Sequence, residues 1–308
     1  MNIVSHRSIF YTISGVLFLA SVVALALGGL RFGIDFTGGS LLEVEYAAHR
    51  PTVDAVRLAL GPLDLGAVVI QPIGERGLLL RFGYIDETKH QAILAGLRSM
   101  AASREGDAAV LTERRFDTVG PTIGRELRRR SLFAVGLVIL LIVSYIAFAF
   151  RKVSAPIASW KYGVVTVVAL LHDVIIPTGF FAVAGRIAGF EVDTLFVTAI
   201  LTILGFSVHD TIVVFDRVRE NLRREGARTG AFPELVNQSV NETFTRSVNT
   251  SLTVVLALAA VYLFGGESTR VFSLTLMIGI IAGTYSSIFI ASPLLATWYE
   301  LQVKKQKS

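Results

Sequence analysis

Two adjacent titratable pairs, His209-Asp210 and His172-Asp173, lie inside segments that are otherwise apolar enough to cross a membrane. A charge at the centre of a bilayer helix costs about 2.5–3.5 kcal/mol on insertion scales, so a carboxylate kept there tends to mark a proton or ion path. Asp210 sits near the middle of the stretch 204–221, LGFSVHDTIVVFDRVREN, which begins in an apolar run and ends among arginines. On a helix Ser207, Ile203 and Val214 share its face, a partly polar stripe. Arg246 opens the next apolar run and reaches comparable depth from the same membrane edge. A guanidinium beside Asp210 favours the ionised carboxylate while desolvation favours the neutral one, so small movements would switch the proton on or off. The plainer readings are that Asp210 lies at the wet edge of the membrane and that Arg246 snorkels to headgroups as an anchor. His172-Asp173 either relays protons, since histidine titrates near neutrality, or ties two helices together by a hydrogen bond.

Other chemistries find little support. Neighbouring His and Asp diverge by about 100° on a helix, so no metal site is expected. No GxSxG elbow and no GxxxxGK[ST] loop is present, which argues against serine hydrolysis and ATP hydrolysis. The chain reads as no enzyme, with no cofactor.

The elements that position these residues follow from composition. The 308 residues are 53% hydrophobic and 17% charged, with a mean hydropathy of +0.61. Soluble domains average about 25% charged residues, so the shortfall points to a membrane protein. The net charge is only +5, and Lys and Arg gather beside apolar runs, which suits membrane topology and lipid contact rather than nucleic acid. The absence of cysteine excludes disulfides and thiolate metal sites.

Six apolar runs, 8–30, 131–150, 162–185, 194–215, 247–266 and 271–299, each cover the roughly 30 Å of hydrocarbon. Ala24-Leu25-Ala26 could pass for a signal-peptidase site, but the run 8–30 exceeds the about 7–15 residues of a signal core, favouring a retained helix. Short loops set the orientation. Arg151, Lys152 and Lys161 flank one, Arg217, Arg219, Arg223, Arg224, Arg228 and Arg246 another, and Lys304, Lys305 and Lys307 the tail at 300–308. The opposite side has Arg186 and Arg270. Both termini are therefore expected in the cytoplasm and residues 31–130 outside. Arg128-Arg129-Arg130 end that long segment, which exceeds the about 60 residues over which the charge rule counts. The basic stretch 216–246 reads as a short amphipathic helix on the membrane surface.

Residues 31–130 form the one sizeable extramembrane region. Leu42, Val44 and Tyr46 alternate with Glu43 and Glu45, as in a strand with one wet face. A short helix over 52–60, strands at 67–70 and 78–82 joined through 74–77, a helix capped by Asp86 with Ile93, Leu97 and Met100 on one side, and a strand at 110–116 follow. That βαββαβ order predicts a ferredoxin-like core over about 40–116. It carries no catalytic signature and reads as a binding or mechanical module. Gly33, Asp35, Gly38 and Gly39 open the region, and Gly120, Pro121 and Gly124 close it. These glycines are expected to supply tight turns or a hinge where the chain leaves the membrane. In the last run Gly279 and Gly283 have small-xxx-small spacing before TYSS, which suits close helix packing or the lining of a proton-accessible cleft.

Several of these stretches, taken in order, carry a resemblance. GIDFTGG after the first run, VGPTIGREL before the second, ALLHDVIIPTGFF in the third, SVHDTIVVFDRVREN in the fourth, TRSVNTSLT and YLFGG in the fifth and GTYSSIFIASPLL in the last are similar to the motifs of the SecD/SecF family of protein-export membrane proteins. The resemblance covers nearly the whole chain. It implies a relative of the resistance-nodulation-division superfamily in the bacterial plasma (inner) membrane. Such a chain is one pseudo-symmetric half of a machine completed by SecD. The pair would use the proton-motive force to help unfolded preprotein through the SecYEG channel, with SecA acting earlier and YajC and YidC as further partners. The family's proton-linked aspartate falls on Asp210 and its functional arginine on Arg246. Where many members have asparagine, this chain has His209, a titratable neighbour. The runner-up is a proton-driven exporter of small molecules or lipids on the same scaffold. A scaffold that only stabilises SecD is a third reading.

Overall fold

The computed structural model describes residues 1–102, 111–150, 156–225 and 232–307. Its first elements are α1 (Arg7–Gly28), α2 (Ile34–Thr37), β1 (Gly39–Tyr46), α3 (Val53–Leu60), β2 (Val69–Ile73), β3 (Gly77–Phe82), α4 (Glu87–Ala102) and β4 (Leu111–Val119). Then come α5 (Pro121–Ala149), α6 (Ser159–Ile187), α7 (Thr194–Glu225), α8 (Phe232–Phe264) and α9 (Glu267–Ser286). A π-helical segment (Ser287–Ala291) joins α9 to α10 (Ser292–Lys307). The chain divides into two compact units, Met1–Arg31 with Leu132–Ser308, and Phe32–Ser131.

Among the described residues six helices are long and apolar enough to cross a membrane, the sixth running through the π segment. Their apolar surfaces are unequally used. α6, α7 and the sixth span bury 44%, 50% and 67% of their most apolar stretch, whereas α1 and α5 each bury 6%, so the former make the interior. Leu17, Leu19 and Leu27 of α1 and Phe133, Leu140 and Leu141 of α5 stay exposed, surface fit for lipid or another apolar chain. Glycine sets the spacing at the centre: a Cβ on Gly279 of α9 would collide with the Ile203 side chain of α7, and one on Gly283 would lie 3.0 Å from the Ser207 Cβ. The small-xxx-small pair thus brings α9 close against α7.

The helices outrun the apolar segments, because hydropathy marks only the stretch within hydrocarbon while the helical ladder continues beyond it. The clearest case is 216–246, where no separate surface helix forms among the described residues. The two sides of the stretch extend α7 and α8, with Val214 and Val218 buried on one and Val236 and Val240 on the other. Asn221 donates to the Ser239 hydroxyl at 3.0 Å and to Glu242 at 2.8 Å, and Arg217 bridges Glu220 and Glu242. An apolar stripe on both helices with satisfied polar ends favours packing of one on the other over lying in a lipid interface. Arg151, Lys152 and Arg228, used above for orientation, lie outside the described residues.

The second unit is the expected ferredoxin-like α+β domain. Its antiparallel sheet has the order β2-β3-β1-β4. The alternation of β1 puts Leu42, Val44 and Tyr46 into a core with Leu78, Leu80, Val56, Leu60, Ile93 and Leu97 from β3, α3 and α4. β2 reaches past Pro72, tolerated because β2 is an edge strand. β4 runs three residues beyond its expected end because Val119 pairs with Gly39. That pairing joins the two glycine motifs, so neither is a loose linker. GIDFT forms a helical turn with Gly33 extended at its N-cap and Asp35 in its first turn, and GPTIG forms the start of α5 with Pro121 as its first residue. Only Gly38 (φ 74°) and Gly39 (φ 130°) of these glycines need positive φ. Gly120 does not, and Gly124 is small for another reason: a Cβ there would lie 2.8 Å from the Gly38 nitrogen.

Candidate functional site

Asp210 is 5% exposed and Asp173 is 0% exposed, both inside the first unit. Each carboxylate is held by hydroxyls from neighbouring helices. Ser247 of α8 donates to Asp210 Oδ1 at 2.7 Å, and Ser287, at the start of the π segment, donates to Oδ2 at 3.0 Å. Asp173 Oδ1 meets its neighbour His172 Nδ1 at 2.9 Å. Its Oδ2 accepts from Ser286 at 2.7 Å and from Ser207 of α7. Ser207 precedes Asp210 by three residues on one helical face, which places the two carboxylates about one turn apart in depth.

Around this layer the polar groups are unevenly satisfied. His172 is 5% exposed and its Nε2 has no protein partner. Its ring lies against Tyr285, 6.3 Å between centroids. The Tyr285 hydroxyl donates to the Phe10 carbonyl at 3.2 Å and accepts from Ser14 of α1 at 3.3 Å. Thr211, next to Asp210, also has a buried hydroxyl without a protein partner. Buried polar atoms normally find partners, water included, so these two mark positions where water or a transferable proton would be accommodated.

The expected Asp210–Arg246 ion pair is not formed. Arg246 is exposed, and the place it was expected to take belongs to Ser247, the next residue, which points about 100° away around α8. His209 is exposed for the same reason, on a different face of α7 from Asp210. Among the described residues neither carboxylate is paired with Lys or Arg. Hydroxyls suit such a site because they serve both protonation states: they donate to a carboxylate and accept from a carboxylic acid. His172 and Asp173 lie together with the serines, while Arg246 and His209 face elsewhere. Sequence reasoning missed Ser247 as a direct partner, although its place one residue after a suspected functional arginine in TRSVNTS was a usable signal.

The family model for the protein-export membrane protein SecD/SecF C-terminal region matches residues 100–301. The chain belongs to the SecD/SecF family. A second family model, the SecD/SecF GG motif, covers residues 23–48, including Gly38 and Gly39. Among relatives, the protein translocase subunit SecF of Thermobaculum terrenum is 44% identical over 310 residues, covering 97% of this chain and 94% of the relative. That of Anaerolinea thermophila is 40% identical over 300 residues, with the same coverage. The crystal structure of SecDF, a translocon-associated membrane protein from Thermus thermophilus, superposes with a TM-score of 0.80 at 32% identity. The match covers 97% of this chain and 39% of that one, so the chain spans about two fifths of the length of the SecDF protein. Family membership establishes a multi-pass membrane protein with an accessory role in Sec protein export. Members are named as translocase subunits, components of transport.

Proposed function

We propose that this chain is a proton-coupled subunit of the Sec translocase, working with SecD to complete preprotein export through the SecYEG channel. It acts after SecA, in the bacterial inner membrane, with both termini cytoplasmic and the Phe32–Ser131 unit outside; YajC and YidC are further partners. The observation that carries the reading is Asp210, sealed inside the bundle with each oxygen held by a serine that tolerates either protonation state. Protonation exchanges a carboxylate, an acceptor only, for an acid that donates, and the α8 and π-segment hydroxyls must reorient. Arg246 would reach Asp210 after α8 turned by about one residue, roughly 100°, so we assign it to another state of the same cycle. His209 and the His172-Asp173 pair belong to the same proton path. The driving force is adequate, since one proton crossing about 100 mV supplies about 2.3 kcal/mol, enough to shift a two-state equilibrium tens-fold.

The test is preprotein translocation into vesicles carrying wild-type protein or Asp210→Asn, with and without a proton gradient. Stimulation by the gradient should disappear in the variant. Equal stimulation in both would refute the proposal. If the purified chain with its partner bound hydrophobic small molecules but not unfolded polypeptide, the exporter reading would stand instead.

A further inference from the structure

The polar layer contains more than one proton carrier requires. Asp173 is as deeply buried as Asp210 and is held by the same kind of donors, and the two are gripped by consecutive residues of one helix. Ser286 donates to Asp173 on α6, and Ser287 donates to Asp210 on α7. Successive helical residues point about 100° apart, which lets one turn address two neighbouring helices. That turn passes into a π segment, a feature often found at functional sites, and the Ser292 hydroxyl donates to the Ser287 carbonyl at 2.9 Å.

Each of the two hydroxyls has a single hydrogen and two acceptors within reach. For Ser286 these are Asp173 Oδ2 at 2.7 Å and the Gly283 carbonyl at 3.1 Å. For Ser287 they are Asp210 Oδ2 and the Thr284 carbonyl, both at 3.0 Å. An ionised carboxylate claims the hydrogen. A protonated one donates its own hydrogen to the serine oxygen, and the serine hydrogen turns to the main chain of α9. The same turn of helix therefore registers both protonation states.

We propose that Asp173 is a second proton-binding site of this protein and that the Ser286–Ser287 pair couples its occupancy to that of Asp210. The inference rests on the reading of Asp210 as a proton carrier. The proton reaches Asp173 through His172. A neutral ring holding its hydrogen on Nδ1 takes a proton at the unpartnered Nε2 and releases the Nδ1 proton to Asp173 Oδ1, 2.9 Å away. The carboxylate becomes the neutral acid, and the ring is left neutral with its hydrogen on Nε2. The other titratable groups nearby are Tyr285 from α9, against the His172 ring, and the exposed His209 of α7 and Arg246 of α8 on other faces of their helices. α1 contributes Ser14, through Tyr285. Ser286 and Ser287 are positioning residues in this scheme.

Dicyclohexylcarbodiimide, which adds to protonated carboxyls in apolar surroundings, tests the proposal on the full chain with its partner subunit in membranes, adducts being located by mass spectrometry. Adducts are expected at both Asp173 and Asp210. Asp173→Asn fixes at the Ser286 hydroxyl the neutral state that proton binding would give, and through the serine pair it should lower labelling of Asp210 about fivefold or more, the usual size of coupling between linked sites. That dependence should vanish in Ser286→Ala and return in Ser286→Thr, which keeps the hydroxyl and guards against a general folding defect. An adduct at Asp210 alone, indifference of Asp210 to Asp173→Asn, or coupling that survives Ser286→Ala would overturn the inference while leaving Asp210 as a carrier. Absence of an adduct at Asp210, together with gradient-stimulated export in Asp210→Asn, would remove the functional reading beneath it.

Discussion

Three glycines near the α7–α9 contact make a graded test of how the site is held. Gly279 faces Ile203, which is 0% exposed, so an alanine methyl there overlaps a packed side chain. Overpacking of this kind costs about 1–3 kcal/mol, set against the gain of up to about 1 kcal/mol from replacing a helical glycine. Gly279→Ala should therefore lose about 0–3 kcal/mol net. At Gly283 the added methyl would sit 3.0 Å from the Ser207 Cβ, tight enough to need a small shift. The expected effect is intermediate. Gly205, also on α7, has nothing within 4 Å of its missing Cβ, so Gly205→Ala should be neutral or stabilising by up to about 1 kcal/mol. The order of stability, Gly205→Ala above Gly283→Ala above Gly279→Ala, can be read from thermal unfolding in detergent. Separating α7 from α9 also strains the Ser207 and Ser286 bonds to Asp173, so gradient-driven export should follow the same order. Ile203→Val in the Gly279→Ala background removes one methylene from the overlap and should recover part of both losses. If Gly279→Ala were as stable as Gly205→Ala, the close approach of α7 and α9 would not be the constraint described.

The Phe32–Ser131 unit yields two pH predictions. Burial pushes the Tyr46 phenol up to about 12, and its hydroxyl has no protein partner. Its contribution should be intact below the ordinary tyrosine range near 10 and lost as pH rises toward 12, so Tyr46→Phe should flatten the alkaline fall of thermal stability across that window. Hydrogen bonds from Gln91 first and His90 second hold the exposed Glu87 carboxyl below its usual range. Its contribution is present above the ordinary carboxylate range and lost as pH falls through the lowered value; Glu87→Gln should show a shallower acid limb in the same measurement, and an unchanged limb would contradict the assignment.

What could be read from the chain alone were the features that repeat or cost free energy locally. Apolar runs of membrane length, period-two alternation at Leu42, Val44 and Tyr46, and a carboxylate at Asp210 inside an apolar run are visible because each follows from a short stretch of sequence. They led to a polytopic fold with a ferredoxin-like domain, and to the residues worth watching. Partner choice was not legible in the same way. Whether Arg246 or Ser247 meets Asp210 depends on a rotation of about 100° around α8, and nothing in TRSVNTS sets that angle; it is set by how α8 packs on α7 and α9. The pairing of Ser286 with Asp173 and Ser287 with Asp210 likewise joins residues 113 and 77 positions apart. It exists because Gly279 and Gly283 let α9 press against α7 and because two adjacent hydroxyls, about 100° apart around the helix, address two different helices. Local sequence thus chose which charges enter the membrane, and helix packing chose which groups satisfy them.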